Sequence, residues 1–218
     1  MYNDNWSKDF LIKKLKNFKP ADKIDSIDQN LILVKRKNGI DFNAFTLSLE
    51  KIELVTLQEI CNKFTNLNFI VNIKKQYEIP WNAVEYLHNM QITIGGVGDF
   101  MRFCNEEDNR ILQDKEFHFV SRGLRQHKMV KEFKRLDNRR IEIVRNGLPT
   151  IISIMINEYD VTGESIRFAR DLYGEFKVVI KTNPNGSITT QAHMVSKQLD
   201  VECCNWGDFL GKLNSRWK

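Results

Sequence analysis

Three apolar runs decide the reading of the fold: Thr150-Ile151-Ile152-Ser153-Ile154-Met155-Ile156, Phe176-Lys177-Val178-Val179-Ile180-Lys181 and Val201-Glu202-Cys203-Cys204. Each is short, rich in β-branched residues and bounded by turn formers, so each predicts a buried strand. Two stretches of helical spacing separate them. Thr162 stands where a cap belongs, with Ile166, Ala169, Leu172 and Tyr173 on one face behind it. Ile188, Ala192, Val195 and Leu199 then recur at i, i+4, i+7 and i+11. Strand, helix, strand, helix, strand requires crossover connections, and hence a mostly parallel sheet flanked by helices. Trp206, Phe209, Leu210 and Leu213 mark a last short helix.

Working outward, residues 139–145 predict a strand joined to the first run across Asn146-Gly147-Leu148-Pro149. Before it, a helix is expected over residues 122–136, capped by Ser121, with Met129, Val130, Phe133 and Leu136 inward. The N-terminal half reads as α+β. A helix over residues 6–18 stops at Pro20, and Asn38-Gly39 between two apolar runs predicts a type I′ hairpin. Thr56 and Glu59 form a capping-box pattern, residues 69–73 a strand, and Pro80 the first turn of a helix through Met90. The polar run at residues 105–109 suggests halves spanning 1–104 and 117–218, and no internal repeat is visible. The fold class is α/β.

Composition narrows the function classes. With 42% hydrophobic and 28% charged residues the chain is expected to be globular. No run approaches the roughly 18 apolar residues of a membrane span, and no leader pattern opens the chain, so a cytoplasmic protein without membrane partners is expected. Four cysteines fit no disulfide framework, and neither Cys nor His shows metal-ligand spacing, so no metal site is expected from them. Cys203 and Cys204, neighbours on a strand, should face opposite sides of the sheet.

Two surfaces stand out. Residues 121–145 carry nine bases against Glu132, Asp137 and Glu142, more excess than the +5 of the whole chain. Arg122, Arg125, Lys128, Lys131, Lys134, Arg135, Arg139 and Arg140 are therefore candidates for contacting DNA or RNA phosphates, which basic side chains neutralise without reading sequence. The same residues also fit the solvated face of an ordinary helix, or a docking site for an acidic protein partner. The second surface is the rim beyond the strand ends, where open α/β sheets bind ligands at a reversal of strand order. Glu158, Asp160 and Lys181 are candidate catalytic groups there. Asn183, Asn185 and Gly186 are candidate ligands for a small anionic, nucleotide-like molecule at a helix start, although Asn, Pro and Gly serve tight turns equally well. Gly95-Gly96-Val97-Gly98 lacks the last glycine of a dinucleotide fingerprint, with Met101 in its place, and reads as a turn.

The order of elements after Ser121, a strand ending at Thr182, a helix opening Thr189-Thr190-Gln191-Ala192 and a final aromatic-capped helix resemble the core of restriction-endonuclease-like nucleases of the Mrr type. A Rossmann-like sheet is the other architecture of this kind. The strings RGLRQH and KTNPNG also resemble uncharacterised bacterial sequences. The resemblance implies phage-defence or mobile-element chemistry, with magnesium as the cofactor if the protein is a nuclease. Those nucleases place an acid on one strand and acid-x-Lys on the next, two carboxylates holding the metal while lysine orients the attacking water. Glu142 supplies an acid, but Ser153 and Met155 stand where acid and lysine belong. Either the resemblance is architectural alone, or the nuclease site has degenerated or has migrated to Glu158 and Asp160.

Overall fold

The computed structural model describes residues 6–217, and the chain divides into two compact units, Met1–Leu112 and Gln113–Lys218. The first unit runs α1 (Trp6–Lys14), β1 (Ala21–Asp28), β2 (Leu31–Arg36), β3 (Phe42–Leu47), α2 (Leu54–Lys63), β4 (Phe69–Asn72), α3 (Trp81–Asn89), β5 (Thr93–Gly96) and α4 (Val97–Cys104). Its sheet has the order β1-β2-β3-β4-β5; the first three strands are antiparallel, and β3, β4 and β5 are parallel. Period-two alternation splits the core in two. Phe45, Leu47 and Ile70 pack with α2 and α3 on one face, while Ala44, Phe69 and Val71 pack with α1 and α4 on the other.

The second unit runs α5 (Lys115–Gln126), β6 (Val130–Arg135), β7 (Arg140–Arg145), β8 (Leu148–Ile156), α6 (Gly163–Tyr173), β9 (Val178–Lys181), α7 (Thr190–Gln198), β10 (Glu202–Asn205) and α8 (Trp206–Lys212). Sheet order and strand directions repeat those of the first unit. Here α6 and α7 cover one face, and α5 and α8 the other. Cys203 and Cys204 fall on opposite faces, as the strand period requires.

The two units are one fold written twice. The shift is 109 residues at β2/β7 (31 to 140), β4/β9 (69 to 178), α3/α7 (81 to 190) and β5/β10 (93 to 202). Irregular features obey it too. Gln91 and Asp200, each just beyond the third helix of its unit, both take positive φ, 60° and 52° respectively. The hydrogen bond from Ile52 N to Glu78 O recurs from Val161 N to Ser187 O, both at 2.9 Å. Arg36 and Arg145 end their strands buried, and each ties the following turn to the end of the last helix. Arg36 donates to Ile40 O and Phe103 O, and Arg145 to Pro149 O and Leu213 O. Burial lowers the pKa of both guanidinium groups.

Several expectations are corrected. The helix expected over residues 122–136 is the end of α5 followed by the edge strand β6. A register shift between Val130 and Glu132 places Val130 and Phe133 three apart, a spacing that imitates a helix. Asp114, rather than Ser121, caps α5 through Phe117 N at 3.0 Å. The Asn38-Gly39 connection is no type I′ turn, because Gly39 takes positive φ and Asn38 does not. Arg36 N instead bonds Asp41 Oδ1 across a wider loop. Glu53, not Thr56, precedes α2. The polar run belongs to the first unit, since Arg36 donates to Asn109 Oδ1 and Ile40 N to Glu107 O. An internal repeat exists after all.

Candidate nucleic-acid interface

The basic run begins on α5, whose Val120, Ser121 and Leu124 are buried while Arg122 and Arg125 face solvent. It continues through Lys128 to β6, where Lys131 and Lys134 are exposed. Half of the eight nominated bases are already matched. Lys134 pairs with Glu142 across the β6–β7 ladder at 2.9 Å, and Arg140 with the buried Asp137 at 2.7 Å. Arg135 meets Asp114 at 2.5 Å, lies over the Phe117 ring and donates to the carbonyls of Asp137 and Asn138. Arg139 meets Glu116 at 2.7 Å, and Glu116 also accepts from Thr182 Oγ1 at 2.5 Å. Burial works against the charge on Arg139, yet the Glu116 carboxylate raises its pKa above the ordinary value. Arg122, Arg125, Lys128 and Lys131 have no carboxylate partner among the described residues; Arg125 lies over the Phe133 ring at 5.9 Å.

Charge is thus partitioned between the units. Met1–Leu112 carries 15 bases and 15 acids; the remainder of the 33 and 28 leaves 18 and 13 in Gln113–Lys218. The whole excess of +5 lies in the second unit.

The strand-end rim is built differently from the expectation. Both sheets keep their strands in chain order, so neither has the reversal point that opens a crevice in doubly wound folds. The nominated groups there fasten loops. Lys181 Nζ is buried and donates to Asn183 O at 2.5 Å and to Asn185 O. Glu158 accepts from Ser165 Oγ at 2.5 Å, and Asp160 Oδ1 accepts from Ser187 N and Oγ at 2.7 and 2.9 Å. Asn183 Oδ1 accepts from Asn185 N at 2.9 Å, the turn geometry its sequence also suggested. Gly186 has φ +74°, and a Cβ there would stand 1.9 Å from Tyr159 O, so glycine is required by close approach. The loop does not open the helix directly, because Thr189 caps α7 by accepting from Ala192 N at 3.1 Å.

Magnesium finds no donor set on the motif strands. Ser153 Oγ is buried and donates to Ile141 O at 3.3 Å, Met155 is buried with a thioether, and Glu142 is held by Lys134. Among the described residues no three His, Cys, Asp or Glu side chains gather as a metal site. The cysteines are poor nucleophiles, since burial pushes the thiols of Cys104, Cys203 and Cys204 up to about 12. Asp99 folds back onto Gly96 N at 3.2 Å and pairs with Arg102, so the glycine segment is a cap.

No family model, no curated protein and no solved structure matches the chain. No helix among the described residues is long and apolar enough to cross a membrane. Two features escaped the sequence reading. Asp114 and Glu116 lie just upstream of the counted basic run, which hid their pairing with it. The exposed Phe119 beside Trp206 lay outside a helix expected to begin at 122.

Proposed function

We propose that the protein binds nucleic acid through the second unit without cleaving it. The observation that carries this reading is the fate of the nine bases in residues 121–145. Four are matched to carboxylates and Arg145 to backbone carbonyls, leaving Arg122, Arg125, Lys128 and Lys131 exposed along the end of α5 and the start of β6. Four unmatched cations on one short path neutralise phosphates, and none is held in the rigid geometry that reads a base edge. Catalysis is set aside because β8 carries Ser153 and Met155 at the motif positions, Glu142 on β7 pairs with Lys134, and Glu158 and Asp160 are engaged in fastening loops.

Fluorescence anisotropy with a labelled duplex tests it. Four phosphate contacts give a log–log salt slope of about −3.6, and reversing Arg122, Lys128 and Lys131 to glutamate flattens it by about 2.7. The same samples with magnesium or manganese leave plasmid and RNA intact. Absence of binding by the wild type at low salt contradicts the binding claim. Metal-dependent cleavage abolished by Glu158→Gln and Asp160→Asn contradicts the non-catalytic claim.

A further inference from the structure

We propose that the outer face of α5 and α8 is a stacking platform for single-stranded nucleic acid, with Phe119 and Trp206 as its rings. This inference rests on the binding function proposed above and names its substrate class. Phe119 is 53% exposed in the middle of a well-formed helix, and its ring centroid lies 5.6 Å from that of Trp206. Trp206 is fixed from behind. It stacks on the buried Phe209 at 5.7 Å, and a Cβ on Gly123 would come within 2.5 Å of its ring. Lys115 and Arg122, four residues before Phe119 and three after, are exposed on the same helical stripe. A Cβ at Gly207 or Gly211 meets nothing within 4 Å, so α8 is uncovered at both positions. Asp208 is the exposed acid on α8.

The first unit keeps only part of the device: Val97 stands where Trp206 does, and its 15 bases are balanced by 15 acids. Phe10 and Phe119 are related by the 109-residue shift, as are Lys13 and Arg122, so an aromatic ring followed three residues later by a base occurs in both. Trp6, 57% exposed, stacks on Phe10 at 5.6 Å, with Lys14 over the Phe10 ring at 5.5 Å. The ring faces still open to water gain nothing from folding, whereas every nucleobase presents a π-face to stack on them. A duplex hides those faces, so the platform selects single strands.

The full chain is titrated with labelled oligo(dT), oligo(U) and a duplex of equal length at one salt concentration. Phe119→Ala is expected to weaken single-strand binding about five- to a hundredfold while leaving duplex affinity within about twofold. Phe119→Trp should retain single-strand binding, and Phe119→Leu should behave as alanine does. Single-strand affinity unchanged in Phe119→Ala, or restored by leucine, overturns the stacking role while leaving the phosphate-binding function standing. A wild type that binds the duplex alone also overturns it, and one that binds no nucleic acid removes both claims.

Discussion

Lys181 illustrates how a side chain with catalytic chemistry can be committed to architecture. It ends β9 at 2% exposure, with its ammonium donating to carbonyls of the loop that follows. Its counterpart after the 109-residue shift is Asn72, fully buried at the end of β4, which donates to Leu49 O at 2.7 Å and accepts from Leu49 N at 3.0 Å. Both units therefore place a buried polar group at the end of the fourth strand, Lys181 holding the loop after β9 and Asn72 the segment after β3, because backbone groups turning away from a sheet need partners. Lys181→Met should leave two carbonyls without their donor and cost about 1–3 kcal/mol of stability, read as a lower urea midpoint. Nucleic-acid affinity should not change. An unaltered midpoint with lost affinity would place Lys181 in a binding site instead.

At the scale of elements, α5 depends on Asp114, which caps the helix and pairs with Arg135. Burial alone would raise its pKa; the Arg135 guanidinium and the bond from Phe117 N hold it below the ordinary carboxylate value. A depressed folded pKa means that the stabilisation is complete above the unfolded value of about 3.9 and is lost as pH falls through the lower folded value. Wild type should therefore exceed Asp114→Asn in stability at pH 7, and the gap should close in acid; a gap independent of pH contradicts the ion pair. The elements themselves were unevenly legible. Strands β8 and β9 could be read because each carries an apolar run buried on both faces, and β10 because Cys203 and Cys204 are buried on opposite faces between two polar residues. Strand β1, Ala21–Asp28, could not: it is a largely exposed edge with three aspartates and two register shifts. In β6 the shift turned a strand period into an apparent helical one. The basic residues were visible as a run, but pairing is spatial, and the 2.7 Å approach of Arg139 to Glu116 is not written along a chain.

For the whole molecule, the duplication was hidden because only twelve of the 109 pairs related by the shift are identical, among them Ile32/Ile141, Arg36/Arg145 and Gly98-Asp99-Phe100/Gly207-Asp208-Phe209. Elsewhere the core keeps its apolar character while changing its side chains, as in Phe69/Val178 and Leu57/Ile166, which a packed interior tolerates when pattern and volume are maintained. What differs between the units is charge: the first is neutral by count and the second carries the excess. One architecture thus supplies a neutral copy and a basic copy, and binding is assigned to the basic one. The most direct test is the salt dependence of nucleic-acid binding by residues 113–218 and residues 1–112, each produced separately and checked for cooperative unfolding. The account predicts that 113–218 binds with the salt slope of the full chain and that 1–112 does not bind at the same concentrations. Binding that resides in 1–112 would contradict it.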